Sequence, residues 1–333
     1  MGEKISYCDF LNRLKNNKLE FNTIIINGGE NYLTLNVLRV LEKFLKINYP
    51  EFNKNIFCDD GNYSATEIVE ASQVVPFCDE KRLVIVNDYL KRKNEQEKNI
   101  FLKYIKNPFL SSILVFYSPF KSDFFASLEQ IENVLVIDCE KISTKDLNEI
   151  VNEMTKGFNV SFDDIAKKTL IDYCNYSPTK IYTELSKYES AFDGKGAYKI
   201  TVDDVKNNTT KDIEYVVFDL TNAIGKKQKD SAFLLVDLML KNKEQGASII
   251  SIIAMHFRRL FLISRSTASK DIIAGLLNIK PFAVEKYKEQ LSFFSQRDLK
   301  RIFDLCVEVE FKCKSGELEQ KNATYYLLAK IFN

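Results

Sequence analysis

Side chains able to do chemistry are sparse in this chain of 333 residues. It has one histidine, His256, inside the helical run SIISIIAMHFRRLFLIS (248–264), which excludes His pairs, multi-His metal sites and H-E-x-x-H. A lone histidine acting as a base needs a nucleophile or an orienting carboxylate beside it, and no such partner is visible in the sequence. Seven cysteines, at 8, 58, 78, 139, 174, 306 and 313, form no CxxC pair. An odd, scattered set of this kind reads as reduced thiols used as small buried hydrophobes. One place has the outline of a phosphate site, a strand FNTIIINGG (21–29) that stops at Gly28-Gly29 before a helix. Compared literally with G-x-x-x-x-G-K-[ST], INGGENYLTLN fails, because neither the lysine point charge nor the magnesium-binding hydroxyl is present. Glu30 adds negative charge where phosphates would lie, and GxGxxG is absent. Asp138, in VLVIDCEK, reads as a strand terminator more readily than as a metal-binding acid. No catalytic, cofactor or metal residue is therefore expected. A nucleotide-hydrolysing fold without its hydrolytic parts would read this way. The rival readings are an active ATPase using Gly28 and Gly29, and a non-enzymatic helical scaffold with a degenerate α/β domain.

The elements that must position any site divide the chain into parts. Its length suits about two domains on a prior of ~150 residues each. Hydrophobic residues at 45% and charged residues at 28% are an ordinary globular balance. A formal charge of +1 removes a bulk-electrostatic case for DNA binding. No apolar run approaches a membrane span and the N-terminus MGEKISYCDF has no signal-peptide core, so a cytoplasmic protein is expected. Residues 1–141 alternate apolar runs with amphipathic stretches. FNTIIINGG, KNIFCDD, KRLVIVNDY, SSILVFYS and NVLVIDCEK predict five strands, with helices over 30–46, 65–75 and from the charged KRKNEQEKN into IFLKYIKN. Parallel strands need long crossovers, so a mostly parallel sheet covered on both faces is expected. After 141 the strand signals stop. Residues 142–210 read as a small helical block ending in the linker-like NNTTKD, and 211–333 as seven helices with short turns. The last part holds 20 basic against 15 acidic residues. A solvated helix face is the plainer reading of that excess, with a weak phosphate-contacting role left open.

Several segments together resemble the delta subunit of bacterial DNA polymerase III, the clamp-loader component that opens the sliding clamp. NGGENYL (27–33) is similar to the family's YGEE-like turn with Tyr-Leu, and PFCDEKRLVIV (76–86) aligns without a gap to PLFSDKRLVVV. HFRRLFLIS (256–264), LNIKPFAVEKYKEQLSFFS (277–295) and KSGELE (314–319) follow in the family's order. The resemblance implies an AAA+ type architecture: a RecA-like parallel-sheet domain without nucleotide binding (1–141), a helical lid (142–210) and a helical collar (211–333) for assembly into a circular pentamer. The implied partners are the sliding clamp (beta subunit), the ATPase and delta-prime-like subunits of the clamp loader, and primed DNA through the assembled complex. No membrane partner and no ATP hydrolysis by this subunit are implied.

Family members grip the clamp with a Leu-Phe wedge after the helix that precedes the third strand. Carried onto this chain, the pair falls on Phe77 and Cys78, with Pro76 before it and Val74 and Val75 nearby. Cys78 departs from the pattern. A slip of one residue would put Pro76 and Phe77 in the wedge, so Phe77 is the anchor in both alignments. VVPF is also an apolar patch at a helix end followed at once by DEKR, as an aromatic anchor with a polar rim would be. The plain alternative is that Phe77 packs its helix on the sheet. Arg258 and Arg259 read as snorkelling or internally paired before they read as DNA contacts. VEVEF (307–311) has little support as a peptide motif. The 25 Phe and 16 Tyr sit at core spacing and, with no Trp, suggest no base-stacking platform.

Overall fold

The computed structural model describes residues 2–58, 63–87, 95–118, 128–140, 142–192, 198–241 and 249–332. The start of KRKNEQEKN and most of FDGKGAYK (192–199) lie outside them. Four of the apolar runs become β2 (Thr23–Asn27), β4 (Arg82–Asn87), β5 (Ser112–Ser118) and β6 (Val134–Asp138), and KNIF becomes β3 (Lys54–Phe57). A further strand, β1 (Glu3–Ser6), was not expected. Four residues with one apolar member carry no alternation, and β1 lies at an edge where only one side needs pairing. The sheet runs β1-β6-β2-β5-β4-β3, with every pair parallel. Interior strands are buried on both faces, which is why TIIIN reads as a continuous apolar run instead of alternating. Ile25, Val84, Leu114 and Val136 pack with Ile68 of α4 (Ala65–Gln73) and Phe101 of α5 (Glu95–Lys106). Elsewhere on the sheet, α1 (Tyr7–Lys15) packs on β1, β6 and α2 (Asn31–Phe44). A four-residue helix, α3 (Pro50–Asn53), leads into β3.

Two compact units divide the chain, the first comprising Met1–Ser161 and Ser177–Tyr198, the second Phe162–Tyr176 and Lys199–Asn333. Helices α6 (Thr144–Gly157) and α8 (Pro178–Phe192) pack in the first unit, α7 (Asp164–Tyr173) and α9 (Val202–Asn208) in the second. The segment 142–210 also contains two three-residue strands, β7 (Val160–Phe162) and β8 (Tyr198–Ile200), too short to give a periodic signal. In the second unit seven helices follow as expected: α10 (Ile213–Gly225), α11 (Lys229–Lys241), α12 (Ile249–Ser264), α13 (Lys270–Leu277), α14 (Pro281–Leu291), α15 (Gln296–Lys314) and α16 (Gln320–Phe332). Their core centres on Leu220, Phe257, Leu260, Leu299, Cys306 and Leu327.

His256 lies in that core. Its Nε2 is 2.9 Å from Gln290 Oε1, and Gln290 Nε2 donates to Phe218 O and Asn222 Oδ1, each at 2.9 Å. Burial pushes the imidazole pKa down to about 3, against which the Gln290 bond works weakly. The ring is therefore a neutral structural group. In the unfolded chain it takes up a proton below its ordinary 6.5, which the folded chain does not do until about 3, so its contribution falls as pH drops through that window. By pH 5 the loss is about 2 kcal/mol at ~1.4 kcal/mol per unit. Thermal unfolding from pH 7 to pH 5 is expected to show this slope in the wild type and a flatter one in His256→Asn. Parallel slopes would contradict the assignment.

None of the seven cysteines forms a disulfide, and burial pushes the Cys139 and Cys306 thiols up to about 12, which leaves both inert. Among the described residues no cluster of metal-ligating side chains occurs, and no helix is long and apolar enough to cross a membrane.

Candidate functional site

The apolar patch begins where α4 ends. A capping box starts this helix: Ser64 Oγ accepts from Glu67 N at 3.2 Å, and Glu67 Oε2 accepts from Ser64 N at 2.7 Å. It stops at Gln73 because Val74 turns extended, at φ −74° and ψ 132°. The expected continuation of the helix to Val75 is thus cut short, and both valines project from a loop. Val75 is 71% exposed and Phe77 53%. Val74 and Cys78 are exposed and Pro76 half-buried. Of the two readings of Phe77, packing against the sheet is the one the geometry disfavours. Cys78 takes φ +55°, a left-handed turn that reverses the chain toward β4.

The loop's shape is set from a distance. Asn53, fully buried at the end of α3, accepts the Phe77 N–H at Oδ1 (2.7 Å) and donates Nδ2 to Phe77 O (2.7 Å) and to Asp79 Oδ2 (2.6 Å). Asp79 also accepts from Asn48 N (3.1 Å), Asn48 Nδ2 (3.0 Å) and Tyr49 N (3.2 Å). Burial raises the Asp79 carboxyl pKa, but these donors from Asn53, Asn48 and Tyr49 outweigh it and hold the group below its ordinary value. Asp79 is a brace, then, and not part of a polar rim as DEKR suggests in sequence. Nor does Arg82 join a rim. It is buried, donating to Phe52 O at 2.7 Å and Asn55 Oδ1 at 2.6 Å. Glu80 remains exposed, and Lys81 donates to Leu110 O at 2.7 Å.

Two aromatic rings enlarge the patch. Phe52 lies 5.0 Å from the Phe77 ring and Tyr49 lies 6.0 Å away edge-on, and both are exposed. Sequence reading misses Tyr49, Phe52, Asn53 and Asp79 as one group. The available signal is NYPEFN, where two aromatics flank a proline that starts a helix of only four residues. The arrangement is an exposed apolar cluster on a hydrogen-bonded frame, suited to insertion into a partner's pocket and to no bond-making chemistry.

The Gly28-Gly29 turn does different work from a phosphate loop. Gly28 has φ +135°, and a Cβ there would lie 2.7 Å from Cys139 C and Glu140 N, so glycine lets the ends of β2 and β6 approach. At the start of α2, Thr179 Oγ1 accepts the Tyr32 N–H at 3.1 Å and donates to Glu30 Oε2 at 3.1 Å, and Ser177 Oγ donates to the same oxygen at 3.0 Å. The protein's own carboxylate and hydroxyls thus occupy the anion-seeking helix end. Asp138 pairs with Lys4 at 3.4 Å and accepts from Glu140 N at 2.9 Å, in keeping with a strand terminator. Arg259 is half-buried, with Tyr287 OH at 3.3 Å and Glu214 Oε1 at 3.9 Å, whereas Arg258 is exposed. Val307 and Phe311 of VEVEF are exposed on α15.

Comparison with known proteins bears on the whole chain. Residues 25–140 match the family described as DNA polymerase III, delta subunit, and residues 214–331 match DNA polymerase III delta subunit, C-terminal domain. These two matches span more than two thirds of the chain. The DNA polymerase III subunit delta of Bacillus subtilis is 26% identical over 310 residues, covering 88% of each chain. Among solved structures, the Bacillus subtilis DNA clamp loader delta protein superposes with a TM-score of 0.67 at 20% identity, covering 98% of this chain and 99% of that one.

Proposed function

Since the chain belongs to the DNA polymerase III delta subunit family, a component of the clamp loader, we propose that it grips the sliding clamp through Val74, Val75, Pro76, Phe77 and Cys78 and holds one clamp interface open. The observation that carries this reading is the exposed Val75–Phe77 knuckle fixed by the buried Asn53 amide. An anchor of this kind supplies much of an interface's energy when it is rigid before binding. Tyr49 and Phe52 extend the contact beside it. Clamp opening follows as a population shift, because a partner that binds the open interface better must favour it by its differential affinity.

Division of labour follows the chain. Residues 1–141 form the clamp-binding domain with a degenerate nucleotide site, 142–210 serve as the lid, and 211–333 form the collar that joins the ATPase and delta-prime-like subunits. Primed DNA is met through the assembled complex, in the cytoplasm. This subunit hydrolyses no ATP: Glu30, held by Ser177 and Thr179, stands where phosphates would lie, with no Lys-Ser/Thr to replace it. The test is a titration of the purified chain with the sliding clamp of the same organism. Saturable binding is expected, and its absence would remove the clamp-gripping role.

A further inference from the structure

Leu110 and Val75 are the two most exposed large hydrophobic side chains among the described residues of the first unit, at 72% and 71%. Val75 belongs to the knuckle, and Leu110 sits at the tip of the turn that enters β5, on the same end of the sheet. From this we infer that Leu110 is a second anchor for the sliding clamp, seated beside the knuckle, an inference that rests on the clamp-gripping reading.

The turn is built to hold its shape. Ser112 N donates to Phe109 O at 3.0 Å, which closes a β-turn with Leu110 and Ser111 at its centre. Pro108 fixes the backbone just before it. Two side chains donate to the Leu110 carbonyl: Asn22 Nδ2 at 3.0 Å, which also donates to Ser112 O at 2.9 Å, and Lys81 Nζ at 2.7 Å. The Leu110 side chain takes no part in these bonds. Centres of turns ordinarily carry Gly, Pro, Asn, Asp or Ser for backbone reasons, whereas this leucine leaves most of its surface in solvent. Apolar surface that serves neither the turn nor the core is available to a partner.

The braces of the turn are also those of the knuckle. Lys81 follows Phe77 by four residues. Arg82 donates its backbone N–H to Ser111 O at 2.8 Å and Nη1 to Phe52 O at 2.7 Å, so one residue ties the Leu110 turn to an aromatic residue of the patch. β4 and β5 are neighbours, with Arg82 opposite Ser112, and adjacent strands lie ~4.8 Å apart. A specific interface covers about 800 Å² on each partner, so a clamp seated on Phe77 extends over the entry to β5. An unrelated partner on Leu110 would compete for the same footprint.

The test is the clamp titration of the full chain, run on wild type, Leu110→Ala, Leu110→Met, Leu35→Ala and Phe77→Ala after their thermal unfolding has been compared. Leu110→Ala is expected to unfold as the wild type does and to bind the clamp about fivefold or more weakly, the loss that marks a contributing interface residue. Leu110→Met keeps the apolar contact and should stay within about twofold of the wild type. Leu35, 60% exposed on α2, is the control for loss of an exposed leucine elsewhere and should also stay within about twofold. If Leu110→Ala lowers thermal stability, Leu110→Asn replaces it, since asparagine suits the turn and removes the apolar contact, with the same direction expected. Wild-type affinity in Leu110→Ala, or equal loss in Leu35→Ala, would overturn the inference. Phe77→Ala keeps the two readings apart. Its loss with none at Leu110 removes the second anchor alone, loss at Leu110 with none at Phe77 removes the knuckle alone, and a wild type that does not bind the clamp removes both.

Discussion

Phe77→Ala is expected to weaken binding to the sliding clamp by about 2–4 kcal/mol, which is roughly thirtyfold or more. The expectation comes from how the ring is spent. Phe77 is more than half exposed, and its neighbours in the folded chain are two other exposed rings, Phe52 at 5.0 Å and Tyr49 at 6.0 Å. About half of its surface is left uncovered by folding, and its ring contacts are with exposed neighbours, so the stability lost with those contacts is on the order of 1 kcal/mol. The exposed half of the ring is therefore available to a partner. The checking measurement is the clamp titration, run on wild type and variant after their thermal unfolding has been compared. Equal affinity for both proteins would move the anchor elsewhere. A large fall in thermal stability would mean that Phe77 is core and not wedge.

Asn53→Ala is expected to cost more stability than Phe77→Ala while also weakening the clamp complex, although Asn53 touches no partner. Its amide makes three bonds, two to the Phe77 backbone and one to Asp79, from a fully buried position. Removing it strands those polar groups, at a cost of about 3 kcal/mol, and frees the knuckle to sample other shapes. A loop ordered only on binding loses affinity to that ordering. Thermal unfolding reads the first effect and the clamp titration at a temperature where the variant is folded reads the second. Unchanged clamp affinity with reduced stability would show that the frame supports the fold alone. Acid should act on the same frame. Because hydrogen bonds hold the Asp79 carboxyl below 3.8, its stabilising contribution is complete above that value and is lost as pH falls through the lower, folded pKa.

What could be read from sequence follows the physics of each element. β2, β4, β5 and β6 are legible because strands buried on both faces must be apolar throughout. β1 is not, since Glu3–Ser6 lies at an edge and needs only backbone pairing with β6. The seven helices of 211–333 announce themselves by period and by caps such as the Ser295–Asp298 box. The packing of α7 and α9 apart from α6 and α8 has no local signature, because it depends on contacts between segments distant in the chain. The same reason divides the site. Val74 to Cys78 stand out as an apolar run at a helix end, whereas Asn53 and Asp79 are ordinary polar residues until the fold brings positions 24 and 26 residues apart into hydrogen-bond distance. Asp79, two residues beyond Phe77, reads as surface charge for want of that partner.

Opening of a clamp interface by the 74–78 knuckle is read by a fluorophore pair placed across one interface of the sliding clamp. Saturating wild-type protein, without nucleotide, should increase the separation of the pair, and Phe77→Ala should need at least about thirtyfold more protein to do so. A wild-type protein that binds the clamp and leaves the pair unchanged, or a variant that opens it at the same concentration, would contradict the account.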